Sequence, residues 1–137
     1  MTHRILVVED NLVNRELLCV WLETEGYDVT SAENLKAAFA AVHSHQPHAV
    51  LLDIQLGDED GADFATWVRQ QNSSLREIPI IAVTAHAMTT ERQRILQAGC
   101  NACIPKPIDF QELKDQLIGW LAVPTVSQPY TGPTSGR

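Results

Sequence analysis

Asp53, Glu9, Asp10, Thr84 and Lys106 have the side-chain chemistry of a phosphoryl-transfer centre, and each stands at the end of a short apolar run. Asp53 closes Ala49-Val50-Leu51-Leu52, and Glu9 and Asp10 follow Ile5-Leu6-Val7-Val8. Thr84 closes Ile78-Pro79-Ile80-Ile81-Ala82-Val83, and Lys106 comes just after Ala102-Cys103-Ile104. Two carboxylates about 4 Å apart repel by roughly 4 kcal/mol at an effective dielectric of 20. Three brought together therefore raise their pKa values or recruit a cation. Oxygen-only ligands favour a hard dication such as Mg²⁺ or Mn²⁺, and Mg²⁺ keeps waters that a phosphate can replace. A lysine adds a point positive charge for an anion, and a threonine hydroxyl can donate to a phosphate oxygen. Together these groups suit an aspartyl phosphate. Asp53 alone would serve equally well as a helix cap, so its meaning depends on what the other runs bring beside it.

The elements between the acids decide that. Apolar runs of this length, bounded by turn signals, read as strands buried on both faces of a parallel sheet. Asn11 can cap a first helix carrying Val13, Leu17, Leu18, Trp21 and Leu22 at helical spacing, with Gly26 stopping it. Asp28–Ala32 alternates polar and apolar residues, as a less buried strand does. A second helix follows Asn34 through Leu35, Ala38, Phe39 and Val42, and a third carries Phe64, Trp67 and Val68. A fourth begins near Thr89 and stops at Gly99. Asp109, with Glu112 three residues on, caps a fifth bearing Phe110, Leu113, Leu117, Trp120 and Leu121. Five strands alternating with five helices predict a doubly wound α/β sandwich. The alternating second strand and the short fifth suit the edges, which gives the flavodoxin-like order 2-1-3-4-5. Its switch point lies between the first and third strands, where Glu9, Asp10 and Asp53 converge.

Composition fits one soluble globular domain: 137 residues, 45% hydrophobic and 20% charged. A net charge of −7 argues against a nucleic-acid footprint, and no run is long enough to span a membrane. Three cysteines and the lack of a secretory pattern suit the cytoplasm. Residues 1–122 are expected to form the domain. Residues 123–137, rich in Pro, Gly, Ser and Thr, are expected to be a flexible tail or linker. With Met1 so close to the first strand, no domain is expected before it.

The motifs Val8-Glu9-Asp10-Asn11, Leu51-Leu52-Asp53-Ile54-Gln55-Leu56, Gly61, Val83-Thr84-Ala85, Ala98-Gly99-Cys100 and Ile104-Pro105-Lys106-Pro107 make residues 3–121 resemble a response-regulator receiver domain. This is the CheY-like fold of two-component signalling, here similar to stand-alone receivers. The resemblance implies that Asp53 accepts a phosphoryl group from a histidine kinase or phosphotransfer protein, with no substrate turnover of its own. It implies Mg²⁺ (or Mn²⁺) held by Asp10 and Asp53 directly, by Glu9 mostly through water, and by the backbone carbonyl of Gln55. Thr84 would be the switch hydroxyl, Lys106 the phosphate partner, and Lys106-Pro107 a cis bond. Gln55 and His86 would govern access of water to the acyl phosphate. Asn14, Leu17, Pro107 and Ile108 would form the kinase-docking patch, with helix packing the competing reading for Leu17 and plain exposure that for Asn14. A downstream protein would read the fourth helix, fifth strand and fifth helix.

Two positions depart from the family. Cys103 stands where an aromatic usually couples to the threonine, so activation is expected to rest on movement of the loop after Thr84 (Ala85, His86) and of helices. Gly57 replaces a common proline and precedes three acids, so this loop is expected to be looser and more negative. Those departures are the support for a second reading, a phosphorylation-independent interaction module on the same fold. Cys100 and Cys103 have redox-like spacing but no second pair, and are expected to be structural. His43, His45 and His48 are expected to sit at a solvated helix end.

Overall fold

A strand covered by helices on both faces has no side on which to show polar residues, and the apolar runs become strands of that kind. The computed structural model describes residues 2–122. Along the chain come β1 (Arg4–Val8), α1 (Leu12–Thr24), β2 (Asp28–Ala32), α2 (Leu35–His45), β3 (Ala49–Asp53), β4 (Gln55–Leu56), β5 (Glu59–Asp60), α3 (Ala62–Arg69), a 3-10 turn (Ser74–Glu77), β6 (Ile80–Thr84), α4 (Thr89–Gln97), β7 (Ala102–Pro105) and α5 (Phe110–Ala122). Among the described residues, the main sheet has five parallel strands in the order β2-β1-β3-β6-β7. These are the first to fifth strands of the sequence reading, so the 2-1-3-4-5 order holds. The expected tail, 123–137, lies outside the described residues.

Successive strand residues feed opposite cores. Leu6, Val8, Val50, Leu52, Ile80 and Ala82 pack against α2, α3 and α4 through Val42, Phe64 and Ile95. Ile5, Val7, Leu51 and Ile81 pack against α1 and α5 through Leu18, Leu22, Leu113 and Leu117. Each helix leaves from the carboxyl end of a strand, so the helix N-termini gather at one rim of the sheet. Asn11 and Asn34 cap α1 and α2 through side-chain oxygens on Asn14 N and Ala37 N (2.9 and 2.8 Å). Asp109 Oδ1 accepts from Gln111 N and Glu112 N at the start of α5.

Four expectations need correction. The apolar stripe of α1 splits: Leu18 and Leu22 are buried, whereas Val13 is 72% and Leu17 56% exposed, with Leu12 and Val20 beside them. The helix carries two apolar faces, and only one can lie on the sheet. The acidic loop is not loose. It folds into the antiparallel β4–β5 hairpin, with Gly57 (φ 60°) in the first position of its two-residue turn, where glycine is favoured. Two of its three acids are engaged: Glu59 Oε1 accepts from Leu35 N (3.0 Å), and Asp60 Oδ1 from Ala62 N (2.9 Å). The run before Thr84 becomes strand only at Ile80, because Pro79 cannot donate to the ladder and the 3-10 turn precedes it. Of the clustered histidines, His48 is not at a solvated helix end; its Nδ1 accepts from Arg4 N (2.8 Å) at the start of β1. Burial, reinforced by Arg4 and His3, holds its pKa below the usual imidazole value.

Arg69, at the end of α3, ties together segments far apart in sequence. Its Nε donates to Gly99 O, Nη1 to Arg76 O and Ile78 O, and Nη2 to Asn101 Oδ1, at 2.7–2.9 Å. Arg69→Ala takes the donor from the half-buried Gly99 and Ile78 carbonyls, while Asn101 Oδ1 keeps Ile80 N at 2.7 Å, and urea unfolding should show a loss of about 3 kcal/mol.

Candidate functional site

The sheet register carries the chemistry to one rim. Val8 pairs with Leu52, Asp53 with Val83, and Thr84 with Pro105, so the residues that follow or end those strands are neighbours. Glu9 N continues the ladder to Ala32 O at 3.0 Å, which carries β1's direction into the first acid. One carboxylate oxygen each from Glu9, Asp10 and Asp53 lies within 4.8 Å of the others. Glu9 and Asp53 are buried and Asp10 is exposed. The crevice opens between β1 and β3, at the point where the strand order reverses.

Asp53 is held asymmetrically. Its Oδ1 takes Lys106 Nζ at 3.0 Å and Gln55 N at 3.2 Å. Its Oδ2 is buried and has no hydrogen-bond partner among the described residues. Burial raises the pKa of Glu9 from 4.5 to about 7; the neighbouring Asp53 charge adds to that, while Asn11 N and Lys106 pull it down. The Asn11 N–H reaches Glu9 Oε2 at 3.1 Å. An orphaned buried oxygen beside two further carboxylates fits a hard divalent cation, which could satisfy both the lone pairs and the repulsion. Arg15 is a part of this crevice that the sequence reading missed. Its Nη1 donates to Glu9 O (2.9 Å) and Asp10 O (3.4 Å), fixing the backbone that carries both acids.

Thr84 is fully buried at the end of β6, and its Oγ1 accepts from Gln55 Nε2 (3.1 Å) and His86 N (3.0 Å). With both lone pairs in use, what the hydroxyl retains is its hydrogen, which it can donate. Gln55 Oε1 in turn accepts from Ala85 N at 3.2 Å. The Lys106-Pro107 bond is cis. Cys103 is buried in the core under α2–α4, and its carbonyl accepts from Arg92 Nη1 at 3.1 Å. Burial pushes the Cys100 thiol up to about 12 and raises that of Cys103, so both are unreactive core groups. Of the patch residues, Asn14, Leu17 and Pro107 are exposed, and Ile108 packs partly against the α1/α5 core. Helix packing therefore does not account for Leu17. The Trp21 and Phe110 rings, 4.9 Å apart, bring α1 beside the start of α5.

Fold and site together define the class: a flavodoxin-like α/β domain whose acidic crevice lies at the switch point of its sheet. Residues 5–118 match the response regulator receiver domain, and the chain belongs to that family. It is 36% identical over 121 residues to the polar-differentiation response regulator DivK of Brucella ovis, covering 88% of this chain and 98% of that one. The receiver domain of the sensor histidine kinase PA1611 from Pseudomonas aeruginosa, with a magnesium ion in its active site cleft, superposes with a TM-score of 0.81 at 34% identity, covering 90% of this chain and 100% of that one. A putative response regulator from Chloroflexus aurantiacus superposes with a TM-score of 0.82 at 29% identity over the same shares. The protein is thus a receiver domain of two-component response regulators, a family of phosphoacceptors that work with histidine kinases or phosphotransfer proteins. Among the described residues no helix is long and apolar enough to cross a membrane.

Proposed function

We propose that Asp53 is the residue phosphorylated in this receiver, and that residues 1–122 form the cytoplasmic switch unit with 123–137 as tail or linker. The observation that carries the assignment is the divided state of the Asp53 carboxylate: one oxygen is engaged by Lys106 and Gln55, the other buried without a partner. In the transfer an Asp53 oxygen forms the new O–P bond while the N–P bond of the donor phosphohistidine breaks, and the leaving imidazole takes its proton from solvent. Glu9, Asp10, Asp53 and the Gln55 carbonyl would hold Mg²⁺ or Mn²⁺, which supplies charge neutralisation at the transferring oxygens. The magnesium-bound PA1611 receiver supports that cation. Lys106 balances charge on the same carboxylate, and Thr84 offers its hydroxyl hydrogen to a new oxygen.

The acyl phosphate brings about two negative charges and new acceptor oxygens. Satisfying them draws Thr84 and Lys106 inward, shifting the surface of α4, β7 and α5 between two populations that a downstream protein distinguishes. Gln55 and His86 flank the acyl phosphate and set the access of water. Asn14, Leu17, Pro107 and Ile108 dock the kinase or phosphotransfer protein, which the exposure of Leu17 supports.

Incubated with acetyl phosphate and Mg²⁺, the full chain should gain the mass of one phosphoryl group and Asp53→Asn none. Stoichiometric uptake by Asp53→Asn would overturn the assignment.

A further inference from the structure

Gln55 touches both halves of the switch. Its backbone N–H lies on Asp53 Oδ1 (3.2 Å), while its side-chain amide reaches across to the loop between β6 and α4. There Nε2 donates to Thr84 Oγ1 (3.1 Å), and Oε1 accepts from Ala85 N (3.2 Å). A carboxamide presents donor and acceptor side by side, and this loop presents an acceptor and a donor in the matching order.

An acyl phosphate on Asp53 needs hydrogen-bond donors from its own crevice. The Thr84 hydroxyl and the Ala85 N–H are one side-chain length from Asp53, since Gln55 spans the gap. Gln55 therefore occupies the Ala85 donor and holds Thr84 in place while Asp53 is unmodified. We propose that the Gln55 side chain is a latch on the unphosphorylated state, displaced from Thr84 and Ala85 when a phosphoryl oxygen competes with Gln55 Oε1 for the Ala85 N–H and the Thr84 hydroxyl turns its free hydrogen to another. This rests on Asp53 being the phosphoacceptor.

The latch also has a route outward. Gln55 pairs across the β4–β5 hairpin with Asp60, and Asp60 Oδ2 holds Arg94 of α4 at 2.8 Å. Release at Thr84 and Ala85 is thereby joined to α4 through the hairpin, on a path that does not pass through Cys103. Gln55 acts here as a positioning residue, through the two loop residues it holds.

The test uses the full chain, wild type and Gln55→Ala, with amide hydrogen exchange and beryllofluoride with Mg²⁺ as the phosphoryl mimic. In unmodified protein, Gln55→Ala should speed exchange at the Ala85 amide about tenfold, while amides of the central strand β3 stay as protected as before. Beryllofluoride should bind Gln55→Ala about tenfold more tightly, because nothing then competes for the Ala85 donor. In wild type, beryllofluoride should shift the spectroscopic signals of Ala85 and of Arg94 together. Unchanged Ala85 exchange in Gln55→Ala overturns the latch. So does unchanged or weaker beryllofluoride binding by that variant when the wild type binds it. A wild-type chain that takes up neither beryllofluoride nor a phosphoryl group overturns the acceptor assignment instead, and the latch with it.

Discussion

Gly61→Ala should lower the free energy of unfolding by about 3 kcal/mol and weaken cation binding in the same step. Its backbone is right-handed helical (φ −58°, ψ −27°), so alanine meets no conformational penalty there. The obstacle is steric. A Cβ on Gly61 would collide with the Asp53 carbonyl oxygen and stand 2.9 Å from Ile54 Cα. Both are backbone atoms of the acceptor segment, which cannot rotate aside as a side chain can. Relief requires α3 to withdraw, straining the Gly61 N to Ile54 O bond (2.8 Å), or Asp53 to move out of line with Glu9 and Asp10. Gly26 provides the contrast, with nothing within 4 Å of an added Cβ but φ at +96°. Gly26→Ala should cost about 1 kcal/mol and leave cation binding as it was. Urea unfolding and Mg²⁺ titration of the two variants separate these effects. Wild-type stability in Gly61→Ala would refute the close contact.

The second large effect is in the pH dependence. Glu9 titrates near 7 in the folded chain against 4.5 as its ordinary value, chiefly because it is buried and secondarily because Asp53 is beside it. Folded protein therefore keeps a proton that the unfolded chain has lost between those values, and in the absence of a cation stability falls as pH rises from about 4.5 to about 7. The contribution is complete below that window and gone above it. A dication needs the ionised form. Mg²⁺ affinity should accordingly rise by up to about tenfold per pH unit toward pH 7 and level off beyond, with proton release on binding. Mg²⁺ should also raise the melting temperature more at pH 8 than at pH 6. Glu9→Gln should flatten both trends, and a pH-independent affinity in the wild type would contradict the coupling.

The sheet order and the candidate site were legible because both rest on short-range patterns. Continuous apolar runs mean burial on both faces, and a polar residue that ends such a run must emerge at the rim, as Glu9, Asp53 and Thr84 do. Side-chain aim was less legible. Gln55 was read through its backbone carbonyl and its access to water, while its amide turned out to face Thr84 and Ala85, which depends on the twist between β3 and β6. The hairpin was hidden because Glu59 and Asp60, like the exposed Asp58 before them, look like part of a solvated run until Leu35 N, Ala62 N and Arg94 are known to lie within reach of the two. Arg15 carried no signal of its own, since an arginine in the second turn of a helix is ordinary until its target carbonyls are placed. The exposure of Val13 and Leu17 could not be separated from burial by period alone, because both apolar faces of α1 recur at helical spacing.

The gathering of helix starts at the carboxyl rim gives the domain an electrical polarity along its strands. Each helix start carries roughly half a positive charge from its unpaired N–H groups, and each end an equal negative charge. The same rim that crowds three carboxylates thus also faces the positive poles of the helices, while negative poles collect at the far rim, where Arg4 donates to the His45 and Gln46 carbonyls at the end of α2. The chain as a whole, at −7, repels the negative charge of a phosphoryl group at long range. The helix poles act only within about a turn of the surface, and salt at 0.1 M screens exposed charges beyond about 10 Å. The fold thereby governs how an arriving phosphoryl group is oriented at contact, and leaves the work of bringing the donor there to the surface beside it.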